Sequence, residues 1–141
     1  MATPDESPGP PCYCGRRGCI ETWLSGPGFE RDHAERAGRA LPSHTIVRAA
    51  ESGDAGAGAT LARYHDRLGR ALASLINVLD PDVVVLGGGM SNIGGLPEAA
   101  HAALRSYVFA AGAREEPVAT RVVRAAHGDS SGVRGAAWMW K

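Results

Sequence analysis

Leu61, Tyr64, Leu68, Leu72, Leu75 and Leu79 recur at spacings of 3, 4, 4, 3 and 4, the period that places side chains on one face of an α-helix. Arg63, Asp66, Arg67 and Arg70 lie off that stripe, so the pattern predicts one long amphipathic helix. Asp80 and Pro81 stop it, because proline cannot continue the amide ladder. The run Val83–Leu86 is apolar throughout and reads as a short strand covered on both faces. A helix over about 97–107, a second strand over about 119–124 and a final helix over about 131–140 complete this half. Upstream, the helical pattern after residue 20 breaks at Gly26, Pro27 and Gly28. Proline suits the first turn of a helix, so a new one is expected from there to about Gly38. A short amphipathic piece follows over 46–50. Residues 1–11 carry Pro4, Pro8, Pro10 and Pro11 and read as an extended, poorly ordered arm. The order helix, strand, helix, strand, helix indicates α/β layers.

Composition narrows the partners. The chain has 141 residues, with 15 basic and 15 acidic side chains, so no global field recommends nucleic acid or an anionic membrane. No apolar run approaches the roughly 20 residues needed to cross a bilayer, and a cytoplasmic location is the expectation. The cysteine count is 3, and an odd count suits a secreted disulfide framework poorly.

All the cysteines fall within "CYCGRRGC", as Cys12, Cys14 and Cys19. Thiolates are favoured zinc ligands because each offsets part of the ion's charge. Gly15 and Gly18 permit the tight turns that bring Cys19 round to the other two. Three ligands are therefore available locally, and metal binding stands beside the plainer reading of three free thiols. Farther along the sequence, Gly87, Gly88 and Gly89 follow the apolar strand. They allow either close approach of a ligand to the backbone at a strand's carboxyl end or an ordinary turn.

"PCYCGRRGCIETWLSG" resembles the cysteine signature of the ROK family of sugar kinases and sugar-responsive repressors. "DPDVVVLGGGMSN" is similar to that family's strand and glycine turn at the nucleotide, and "HGDSSGVRGAAWMW" to the closing helix of its fructokinase and mannokinase branch. The resemblance implies the carboxyl-terminal lobe of an actin-like, ribonuclease-H-like α/β ATPase fold with an incomplete sheet, spanning 12–141. It implies structural zinc at Cys12, Cys14 and Cys19, completed by a histidine that lies upstream in full-length members. It also implies sugar hydroxyls at Glu21 and the nucleotide at Gly87, Gly88 and Gly89, with ATP, magnesium and a hexose as the complete enzyme's ligands. On spacing alone, the preferred reading of Glu21 is an acidic residue favoured at a helix start, and it is the resemblance that turns it toward sugar.

Full-length members also carry two glycine-rich phosphate loops and a catalytic aspartate, none of which is read in this chain. Phosphoryl transfer needs the γ-phosphate, a metal ion and a proton acceptor held together. The isolated chain is therefore expected to be an inactive fragment of a fructokinase-like hexose kinase. It would associate with itself or with a missing amino-terminal half. A fragment of a sugar-responsive regulator and a zinc-stabilised interaction module are the alternatives.

Overall fold

The computed structural model describes residues 3–109 and 117–140, except for the side chains of Asp129 and Ser131. In chain order the elements are α1 (Glu21–Leu24), α2 (Gly26–Ala37), α3 (Ser43–Glu51), α4 (Ala55–Leu79), β1 (Val83–Leu86), α5 (Leu96–Leu104), β2 (Arg121–Arg124) and α6 (Ser131–Trp138). Single 3-10 turns occupy Pro4–Glu6, Gly89–Asn92 and Gly128–Ser130.

Local chemistry sets the helix boundaries. The Ser25 hydroxyl accepts from the Gly28 amide at 3.1 Å and so caps α2, with Pro27 in its first turn and Gly38 closing it in the left-handed conformation. The Asp54 carboxylate caps α4 through the Ala57 amide at 2.8 Å. Asp80 ends α4 at φ 42°, a conformation that aspartate tolerates better than most residues.

Helix α4 is the axis of the molecule, with α2, α3 and α5 packed around it. Its stripe buries Tyr64, Leu68, Leu72 and Ile76 against Phe29 of α2, Ile46 of α3, and Leu96 and Leu104 of α5. Each fully buried side chain of this kind stabilises the fold by about 1.5–3 kcal/mol. Phe29 meets Tyr64 edge to face at 5.3 Å, and the Tyr64 hydroxyl donates to the Leu24 carbonyl at 3.2 Å. The stripe departs from expectation in two ways. Leu75 and Leu79 are 50% and 69% exposed, because no described element covers the carboxyl end of α4 on that side. Arg67 and Arg70, which the periodicity puts on the polar side, are buried.

Strands β1 and β2 pair in parallel from Val83 opposite Arg121 to Leu86 opposite Arg124. The strand expected to be covered on both faces is covered on one: α5 packs on the sheet, while Val85 is 60% exposed. Further apolar surface lies at Val78, at Val133 and Trp138 of α6, and at Met139 and Trp140 just beyond it, all of them exposed. Among the described residues, no helix is long and apolar enough to cross a membrane.

The arm also differs from its sequence reading. Residues 3–11 are docked rather than loose. The Glu6 carboxylate turns inward to Arg67 Nε at 2.6 Å and Arg70 Nη1 at 2.8 Å, and it accepts from the Thr3 amide at 2.9 Å. Burial alone would raise the pKa of Glu6, but hydrogen bonds from Arg70 and Arg67 outweigh it and hold the carboxyl well below the usual range.

Candidate functional sites at a cysteine loop and a glycine turn

The cysteine loop is a small hairpin. Pro11 and Arg17 form an antiparallel bridge, the Cys12 amide donates to the Arg16 carbonyl at 2.8 Å, and the Gly18 amide donates to the Pro10 carbonyl at 2.8 Å. Gly15 and Gly18 sit at φ 83° and 66°, which lets the chain reverse between Cys14 and Cys19. A Cβ on Gly9 would lie 2.5 Å from the Gly18 Cα, so the two legs touch backbone to backbone.

This reversal brings the three sulfurs within 4.8 Å of one another, and Cys14 Sγ lies 3.5 Å from Cys19 Sγ. A tetrahedral zinc with Zn–S bonds of about 2.3 Å sets its sulfurs about 3.8 Å apart, so the three sulfurs are placed to take three of its four corners. The thiols differ in acidity. The Arg16 amide, then Cys12 and Cys19, hold the Cys14 thiol below its ordinary value. Cys19, donating to Cys14 and crowded by Cys12, is pushed up to about 11. Three sulfurs this close cannot all ionise unaided, and a divalent cation is what would let them.

Glu21 is the first residue of α1, immediately beyond the loop. Its side chain is exposed, and among the described residues its carboxylate has no hydrogen-bond partner, so it is free to accept from an incoming hydroxyl. Behind it, the Thr22 hydroxyl donates to the Cys19 carbonyl at 2.6 Å, which ties the start of α1 to the last cysteine.

The second site lies at the carboxyl end of β1. Gly88 adopts φ 76°, ψ 178°, a region essentially reserved for glycine. Its carbonyl is held by the Ser91 hydroxyl at 2.7 Å and the Ser91 amide at 3.1 Å. A Cβ on Gly88 or Gly89 would meet nothing within 4 Å, and one on Gly87 only the Ala125 Cβ at 3.9 Å. The backbone here faces open space.

Beside this turn is a cavity of about 710 Å³ between α2, α3 and the turn after β1, with Gly89, Met90 and Asn92 on one wall and Glu30, Ser43 and His44 on the other. Its size suits a small organic ligand. Glu30 is fixed by Ser43, whose amide and hydroxyl each donate to Oε1 at 2.7 Å. Arg124 Nη2 donates to Asn92 Oδ1. Among the described residues, none of 12–21 lines this cavity, so the cysteine loop with Glu21 lies outside it. The sequence reading names Gly87, Gly88 and Gly89 but not Glu30, Ser43 or Asn92. Polar residues on short amphipathic helices read as solvent-facing, and nothing in their spacing marks the shared cavity.

The model of the ROK family matches residues 3–141. The chain is 39% identical over 130 residues to an N-acetyl-D-glucosamine kinase of Pectobacterium carotovorum, covering 91% of this chain and 40% of that protein. It is 38% identical over 130 residues to an N-acetyl-D-glucosamine kinase of Escherichia coli O157:H7, again covering 91% of this chain and 41% of that one. Among solved structures, the ROK hexokinase from Thermus thermophilus superposes with a TM-score of 0.74 at 34% identity, over 92% of this chain and 44% of that one. A ROK glucokinase from Streptomyces griseus, solved with glucose and AMPPNP, superposes with a TM-score of 0.76 at 27% identity, over 93% of this chain and 47% of that one. The chain thus spans less than half the length of each of these four proteins.

Proposed function

The chain belongs to the ROK family, and from that premise we propose that it is the carboxyl-terminal portion of an ATP-dependent cytoplasmic hexose kinase. Its fold is part of the actin-like lobe that the solved ROK kinases share. In this reading Gly87, Gly88 and Gly89 let the nucleotide approach the backbone, and the cavity between α2 and α3 receives its adenosine end. Ser91 keeps the Gly88 carbonyl out of the ligand's path. Glu21 accepts hydrogen bonds from hydroxyls of the sugar. Cys12, Cys14 and Cys19 would hold a structural zinc, which when bound supplies charge that keeps all three thiols ionised and the loop fixed. For the acceptor, the N-acetyl-D-glucosamine kinases at 37–39% identity are a better guide than the fructokinase-like closing helix, because they match far more of the chain. Magnesium would accompany ATP in the complete enzyme.

Transfer of the phosphoryl group needs a phosphate-binding loop and a base. We assign neither to this chain, so alone it releases no ADP in response to sugar. The exposed faces at Val85, Leu79 and α6 are the surfaces against which a complementary lobe or a second copy packs.

The observation that carries the nucleotide assignment is Gly88, held in a glycine-only conformation with open space before it and the cavity alongside. Gly88→Ala would relax by leaving that conformation, which costs about 1–3 kcal/mol to hold. The binding-competent fraction then falls, and affinity for AMPPNP drops about tenfold or more. Amide chemical shifts titrated with AMPPNP check this: the shifts concentrate at residues 87–94 in the wild type and weaken in the variant. Unperturbed glycines at saturating nucleotide would refute the assignment.

A further inference from the structure

We infer that Glu6, Arg67 and Trp23 form a clasp closing the cysteine loop at its base, which makes Glu6 and Arg67 positioning residues for the sulfur ligands and for Glu21. The consequence for metal rests on the zinc reading above. The clasp itself rests on geometry.

Glu6 lies upstream of the hairpin and Trp23 downstream of it, and both meet the same guanidinium. Arg67 Nε contacts Glu6 Oε1 at 2.6 Å, while Arg67 Cζ stands 4.3 Å over the Trp23 ring. Arg67 Nη1 is anchored to Asp32 Oδ1 of α2 at 3.0 Å, so the clasp is referred to the rigid helical body. Arg70 adds a second pair of contacts to Glu6, Nη1 to Oε2 at 2.8 Å and Nη2 to Oε1 at 3.1 Å. The Glu6, Arg67 and Arg70 side chains are at most 9% exposed.

Buried ion pairs of this kind are weak evidence for stability, because desolvating the charges offsets their attraction. What they do supply is geometry. The carboxylate accepts in two directions at once, and the guanidinium presents a planar fork with an aromatic ring against its face. Above the clasp, the two legs are joined by the Pro11–Arg17 bridge, a few backbone hydrogen bonds and the close approach of Gly9 to Gly18, with no ion pair between them among the described residues. A hairpin closed at its base has less conformational freedom to lose when its tip takes up a ligand. That is the function the clasp serves.

Glu6→Gln keeps the side chain's shape and removes its charge. Two readouts test it on the full chain. In the metal-free protein, hydrogen exchange of the Cys12, Gly15 and Gly18 amides is expected to speed up about tenfold or more, while the amides of α4 and α5 keep wild-type rates. Zinc affinity, measured by competition with a chromophoric chelator, is expected to fall about tenfold. Arg67→Lys, which keeps the charge but loses fork and stacking, should show the same local pattern, and Glu6→Asp a milder one. Should Glu6→Gln fail to fold, Trp23→Leu releases the other leg without stranding a charge and is read in the same way. Unchanged loop exchange, or faster exchange spread evenly through α4 and α5, would overturn the clasp. If the wild type takes up no zinc yet Glu6→Gln loosens the loop, the metal reading fails and the clasp stands.

Discussion

Replacing Asp32 by alanine is expected to destabilise the chain by about 3–5 kcal/mol, the usual cost of removing one partner from a buried ion cluster. Asp32 is 4% exposed and receives Arg63 Nη2 at 2.8 Å, Arg67 Nη1 at 3.0 Å and Arg36 Nε at 3.4 Å. Arg36 and Arg63 are partly exposed and can swing toward water once the carboxylate is gone. Arg67 cannot, because Trp23 and Glu6 hold it. The penalty is therefore concentrated on Arg67, which keeps Glu6 at Nε but loses the partner of its buried Nη1. Set against a typical stability of about 5–15 kcal/mol, it is a large share of the total. Urea denaturation checks it through a lowered midpoint at unchanged slope, and a loss below about 1 kcal/mol would show that Asp32 behaves as a surface charge.

Gly69→Ala is expected to destabilise, against what helix propensity alone says. Alanine is better than glycine in a helix interior by about 1 kcal/mol, so an unhindered exchange would stabilise α4. At Gly69, however, the added Cβ would stand 2.6 Å from the Ala103 Cβ, 2.8 Å from its carbonyl carbon and 2.9 Å from the Leu104 amide nitrogen. Two of those atoms are backbone, so α5 itself must move. Overpacking of this kind costs about 1–3 kcal/mol, and Gly69→Val should cost more. Gly58, on the same helix with nothing within 4 Å of its would-be Cβ, is the control, and Gly58→Ala should gain close to the full propensity difference. Thermal or urea denaturation of the pair decides the matter. Equal stabilisation at both positions would mean that α4 and α5 are not in backbone contact at Gly69.

These two sites mark where the sequence stops being legible. The period of Leu61, Tyr64, Leu68 and Leu72 gives α4, and Asp80 with Pro81 gives its end, because both signals are local. The turn at Gly26 and Pro27 places the start of α2 for the same reason. By contrast, Arg67 and Arg70 read as the polar side of a helix, since their partner Glu6 is distant in sequence and sits in an arm whose prolines suggest disorder. Gly69 carries no local signal at all; only the position of α5 explains it. Val83–Leu86 reads as a strand covered on both faces, yet Val85 is exposed, because strand composition reflects the sheet a sequence is made for and the described residues supply only one partner strand. Within the candidate sites, the cysteine spacing announces its own convergence, and the three sulfurs do lie together. Glu30, Ser43 and Asn92 come together only through tertiary packing around the cavity at β1.

The zinc content of the purified chain, compared with that of Cys14→Ser, tests the central claim most directly. Convergence of Cys12, Cys14 and Cys19 on one cation predicts about one zinc per chain, lost from the variant, with a thiolate charge-transfer band when cobalt(II) is substituted. Folded chain that stays metal-free in the presence of zinc, or that binds it equally well without the Cys14 sulfur, would contradict the account.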